Sequence, residues 1–163
     1  MKKKFVDYFM SIADLTSKLS YAKRLQVGAV IVKGNQIIGT GYNGMPTGWE
    51  NVCEYEEECY DERETHQSQD WKYSAETKKF TRLKTKPEVL HAESNAIAKV
   101  SRSTESSEGA TLFCTHAPCI ECAKLIYQSG INKVYYRDTY RDNRGLEFLR
   151  QGGIDVYQYS NSV

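Results

Sequence analysis

Apolar residues Phe5, Tyr8, Phe9, Ile12, Ala13 and Leu19 recur at helical spacing, which predicts an amphipathic helix over about 6–18. This aromatic stripe reads as core rather than as a surface for stacking bases. Two β-type runs follow, Val27-Gly28-Ala29-Val30-Ile31-Val32 and Gln36-Ile37-Ile38-Gly39-Thr40-Gly41-Tyr42, divided by Lys33-Gly34-Asn35. That is the pattern of a hairpin. Gly28, Gly39 and Gly41 inside strands indicate close approach of another backbone, from a packed helix or a ligand.

Further along, the period changes repeatedly. Ala96, Ile97 and Val100 mark a helix at 94–100, and Thr111-Leu112-Phe113-Cys114-Thr115 a strand. A helix from Cys119 to Ser129 is closed by Gly130, and Lys133-Val134-Tyr135-Tyr136 forms the next strand. A helix near Leu146-Glu147-Phe148-Leu149 and a last strand Ile154-Asp155-Val156-Tyr157 complete the series. Strand–helix alternation after an opening hairpin predicts an α/β sandwich with a mixed sheet.

Two stretches lack this order. The loop Asn43 to Asn51 carries glycines, a proline and side-chain amides at the end of a strand, as turns do and as nucleotide-binding loops do. From Val52 to Leu90 the chain is polar and poorly patterned, with an acidic block from Glu54 to Glu64 and a basic one from Lys72 to Lys86. A structureless loop of that length is unusual inside a compact domain. Short helical pieces ordered by a neighbouring subunit or a ligand, or a mobile solvated insertion, are the two expectations for 52–90.

With 163 residues the expectation is one domain, 1–163, carrying this insertion. No apolar run reaches the length of a membrane span, and the basic Lys2-Lys3-Lys4 start is not followed by a signal core, so a cytoplasmic protein is expected. Twenty-two basic against 21 acidic residues give no global field for a polynucleotide, whereas a small nucleotide is easily accommodated. Five cysteines is an odd count, which suits a reducing compartment.

The chemistry concentrates in two runs, His91-Ala92-Glu93 and Pro118-Cys119-Ile120-Glu121-Cys122. Both fall at predicted helix starts, where a positive dipole favours thiolates. One histidine and two cysteines give a zinc ion three ligands and leave a fourth position for water, the arrangement of a catalytic rather than a structural site. Zinc lowers the pKa of a bound water from about 15.7 toward roughly 7. Glu93, two residues after His91, is then the candidate proton carrier. A structural zinc half-site or a redox pair is the alternative reading of Cys-x-x-Cys. Cys53, Cys59 and His66 offer a second zinc site, with buried or unpaired thiols as the alternative; their spacing is wider than a usual knuckle.

These motifs, together with Gly41-Tyr42-Asn43-Gly44-Met45-Pro46-Thr47-Gly48 and the run Cys122 to Ile131, make the sequence resemble the deoxycytidylate (dCMP) deaminases of the cytidine deaminase superfamily, especially phage-type enzymes. The resemblance covers nearly the whole chain outside parts of 52–90. It implies a three-layer α/β/α cytidine deaminase-like sandwich with a mixed five-stranded sheet. It also implies hydrolysis of dCMP to dUMP and ammonia, supplying the precursor of thymidylate, in the cytoplasm of a host if phage-encoded. By this resemblance His91, Cys119 and Cys122 match the ligands of Zn2+, and Glu93 matches the proton shuttle. Asn43 matches the residue that helps hold the deoxyribose, and the backbone at Ala92 and Ala117 is expected at the base edge. Arg24 and Arg141 are the candidates for the phosphate, since arginine binds it bidentately, and Tyr140 for covering the sugar or base. A homohexamer activated by dCTP and inhibited by dTTP, both with Mg2+, is further implied, with Gly44, Gly48 and Asn51 in the effector loop. The rivals are another zinc deaminase, acting on a free nucleoside or a tRNA base, and a catalytically silent zinc-stabilised nucleotide-binding module.

Overall fold

The computed structural model describes residues 1–65 and 70–160, leaving aside the side chain of Glu64. Helix α1 (Lys3–Ser17) is followed by the hairpin β1 (Gly28–Lys33) and β2 (Gln36–Tyr42). Its turn uses Gly34 and Asn35, both at positive φ, as a two-residue connection matched to strand twist requires. After 52–90 come α3 (Ala92–Ser101), β6 (Thr111–His116), α4 (Ile120–Gln128), β7 (Lys133–Asp138), α5 (Arg144–Gln151) and β8 (Asp155–Gln158). The main sheet has the order β2-β1-β6-β7-β8. β1 is antiparallel to both neighbours, whereas β6, β7 and β8 run parallel. This is the expected mixed five-stranded sheet of a cytidine deaminase-like sandwich.

Strand alternation divides the core into two layers. Val30 and Val32 face α1 with Val6, Phe9, Met10 and Ala13. Ala29 and Ile31 face the opposite side, toward Ala92, Ala96 and Val100 of α3 and Ala123 and Ile126 of α4. Because both faces are covered, β1 reads as a continuous apolar run. The two strand glycines that matter sit on opposite faces. A Cβ on Gly28 would strike the carbonyl of Ala13 in α1, and one on Gly41 the carbonyl of Ala92 in α3. Helix packing therefore accounts for both.

The segment 52–90 departs from expectation. Among its described residues it forms a three-stranded antiparallel sheet of β3 (Glu54–Cys59), β5 (Lys79–Thr85) and β4 (Lys72–Ser74), with one helical piece, α2 (Glu62–Thr65). The acidic and basic blocks are cross-strand partners: Glu57 lies opposite Arg82 and Glu58 opposite Thr81. Arg82 and Lys84 both bind Glu57, at 2.5 and 3.2 Å, and Lys79 binds Glu58 at 2.9 Å. Opposite charges on one sheet face stabilise strand pairing, a relationship that helical spacing cannot reveal.

Candidate active site

His91 and Cys119 occupy the N-cap positions of α3 and α4, and neither side chain caps its own helix. Both turn instead toward a common point, where Cys122 arrives from the first turn of α4. His91 Nδ1 lies 3.5 Å from Cys119 Sγ and 3.3 Å from Cys122 Sγ. The three donor atoms all lie within 4.8 Å of one another. Tetrahedral zinc, with Zn–S about 2.3 Å and Zn–N about 2.0–2.1 Å, separates nitrogen and sulfur donors by roughly 3.6 Å. The donor set therefore fits zinc in chemistry and in spacing.

The helix ends shape the electrostatics. The Cys122 thiol donates to Cys119 and His91 adds a second contact, holding the Cys119 thiol down to about 3. Cys122 is pushed up by that same hydrogen bond and by burial. His91 is raised by its bond to Cys119 and by the nearby Glu93. Glu93 is buried in the first turn of α3, and desolvation raises its carboxyl above the usual range. Behind it Cys114 of β6 is fully buried, its thiol raised by burial and then by the charge of Glu93.

A cavity of about 770 Å³ opens from this point. His91, Glu93 and Cys119 line it together with Arg24, Asn43, Ala92, Ala117, Tyr140 and Arg141, so the expected catalytic and substrate-binding residues are brought to one place. The Asn43 side chain accepts from Val27 N–H and donates to the Leu25 carbonyl, both at 2.8 Å, clamping the segment that carries Arg24. Ala117 N–H donates to the Asp138 carbonyl at 2.8 Å. The Arg141 guanidinium lies 5.7 Å from the Tyr140 ring centre. Gly44, Gly48 and Asn51 are not among the cavity-lining residues.

Three features of the wall were missed from sequence. His116 lines the cavity, its Nδ1 3.1 Å from Thr115 Oγ1 and its Nε2 3.6 Å from Asp138. Burial lowers its pKa, against a rise from Asp138. Its place beside Ala117 was the available signal. Glu54, buried at the start of β3, accepts from Lys23 N–H and Arg24 N–H at 3.0 and 3.1 Å. The small sheet also supplies Lys72, Thr81, Arg82 and Thr85 to the cavity, a closure that only tertiary pairing creates. Among the described residues the one group of metal-ligating geometry is His91, Cys119 and Cys122. Cys53 immediately precedes β3 and Cys59 ends it, about 20 Å apart along an extended chain, too far to share an ion. Cys59 donates to the Asp61 carbonyl, and His66 lies outside the described residues.

A histidine and two cysteines at paired helix ends beside a buried carboxyl, carried on this sandwich, define a zinc-dependent deaminase. Residues 3–138 match the family model of the cytidine and deoxycytidylate deaminase zinc-binding region, and the chain belongs to that family. It is 36% identical over 167 residues to the deoxycytidylate deaminase of Enterobacteria phage T4, covering 91% of this chain and 86% of that protein. Identity to the human deoxycytidylate deaminase is 38% over 139 residues, covering 84% of this chain and 67% of the human one. Among solved structures, the dCMP deaminase from the cyanophage S-TIM5 in complex with dCMP and dUMP superposes with a TM-score of 0.78 at 38% identity, covering 98% of this chain and 99% of that one.

Proposed function

We propose that this chain hydrolyses dCMP to dUMP and ammonia, acting as a single catalytic domain in the cytoplasm and supplying the precursor of thymidylate. The observation that carries the reading is the His91, Cys119 and Cys122 triad beside buried Glu93, at the inner end of a cavity that also holds Arg24 and Arg141. Relatives similar over nearly the whole chain are deoxycytidylate deaminases.

His91, Cys119 and Cys122 would hold zinc, which would supply a Lewis acid that lowers the pKa of water toward neutrality. Glu93 takes one proton from the attacking water and delivers it to N3 of the cytosine ring as the water oxygen bonds to C4; it then takes the remaining hydroxyl proton and passes it to the amine as the C4–N bond breaks, releasing ammonia and leaving the C4 carbonyl. Burial suits it to the task, because a raised carboxyl pKa brings acid and base forms closer in energy at working pH. The Ala117 carbonyl accepts from the amino group of the base, and Ala92 meets the opposite edge through its backbone. Asn43 has a second amide hydrogen for the deoxyribose. Arg24 and Arg141 take the phosphate, and Tyr140 covers the sugar.

The test is a panel of dCMP, deoxycytidine and cytidine with the zinc-loaded protein, followed by the absorbance change from cytosine to uracil. A preference for dCMP is expected. Equal turnover of deoxycytidine would remove the monophosphate reading. A homohexamer controlled by dCTP and dTTP with Mg2+ through Gly44, Gly48 and Asn51 belongs to the same proposal, supported by the position of these three residues off the cavity lining. Sigmoidal dCMP kinetics relieved by dCTP are expected, and hyperbolic kinetics indifferent to both nucleotides would remove this part.

A further inference from the structure

We propose that Asp70 is a built-in competitor for the substrate phosphate: its carboxylate holds the guanidinium of Arg24 that the 5′-phosphate must take. The inference rests on the reading of Arg24 as a phosphate residue. Arg24 Nη2 lies 3.1 Å from Asp70 Oδ2, and Nη1 donates to Thr85 Oγ1 at 3.1 Å. All three residues line the cavity. The backbone of Arg24 is fixed independently, because its N–H donates to buried Glu54, so the guanidinium position does not depend on Asp70 alone.

A carboxylate and a phosphate make the same kind of charged, directional hydrogen bonds to arginine. They differ in charge: a phosphate monoester carries about −1.5 to −2 at neutral pH. A nucleotide monophosphate therefore displaces Asp70, whereas a neutral nucleoside brings nothing that can. The ion pair is partly exposed, with side-chain exposures of 32% and 54%. Such a pair is weak, so Asp70 lowers affinity modestly and does not block the site. Its effect is to keep Arg24 neutralised between turnovers and to ease departure of the product phosphate.

The decisive experiment compares Asp70→Asn, Arg24→Met and the double variant as zinc-loaded proteins. Inorganic phosphate binding is followed by phosphorus NMR, and KM is measured for dCMP and deoxycytidine. Asp70→Asn tightens phosphate and lowers the KM for dCMP by about two- to fivefold, the range that an exposed ion pair supports. Selectivity for dCMP over deoxycytidine rises by the same factor. Arg24→Met weakens phosphate, and the double variant matches Arg24→Met. Asp70→Glu retains the competitor and stays near the unmodified protein, which separates loss of charge from loss of fold. Unchanged phosphate affinity in Asp70→Asn, or a gain that persists without Arg24, overturns the inference. Wild-type turnover of deoxycytidine equal to dCMP would instead overturn the substrate reading, and the phosphate titration would still decide the role of Asp70.

Discussion

Gly44 and Leu90 exchange both backbone hydrogen bonds, at 3.1 and 2.9 Å, closing the stretch of chain that contains the inserted sheet. The pair ties the residue after Asn43 to the residue before His91, so the Asn43 wall and the His91 wall of the cavity share one anchor. Gly44→Pro removes one of these donors and is expected to cost about 1–3 kcal/mol. Gly44→Ala keeps the bond and has room, its Cβ meeting only the Tyr42 ring at 3.9 Å. Thermal melts together with zinc content separate the two: loss in Pro and retention in Ala is the expected pattern.

Glu93→Ala tests the proton carrier. Its carboxyl is not one of the three metal donors, so zinc stoichiometry is retained while activity falls by at least about a hundredfold. Activity within tenfold of the unmodified protein would mean that another group moves the proton.

Cys119 and Cys122 differ chemically before metal is added. With its pKa held at about 3, Cys119 is a thiolate throughout the neutral range, while Cys122 stays protonated. Iodoacetamide is therefore expected to modify Cys119 first in zinc-free protein, at a rate nearly flat from about pH 6 to 8, and zinc should block it. Peptide mapping of the labelled protein reads the order.

Gly41 sets how closely α3 lies on the sheet. Gly41→Ala drives a methyl group into the Ala92 carbonyl and is expected to destabilise by about 1–3 kcal/mol. Because α3 carries Glu93 and begins at His91, zinc affinity should fall with stability. Denaturant melts with and without zinc measure both, and an unaffected zinc affinity would separate the packing from the site.

The metal centre was legible because its residues lie in two short runs at helix starts, where spacing along the chain sets spacing in the fold. The two-layer core was legible for a similar reason: β1 and α1 carry strong periodic patterns. The segment 52–90 was not. Glu57 and Arg82 pair across strands, and charged residues with few apolar neighbours carry no period that identifies a strand. His116, Glu54 and Asp70 escaped notice because their roles depend on contacts with Asp138, Lys23 and Arg24, distant or unpatterned in sequence.

Strands β3 and β5 of the inserted sheet are bridged by ion pairs on its surface, and Arg24 meets Asp70 in another partly exposed pair, whereas the helices behind His91 and Cys119 are set in apolar packing. Ionic strength therefore acts unequally along one cavity. Salt weakens exposed pairs, with a screening length of about 8 Å under physiological conditions, but hardly touches buried ones. The wall that carries Arg24 and Asp70 becomes adjustable by the medium, while the wall that carries His91, Glu93 and the two cysteines is insulated from it.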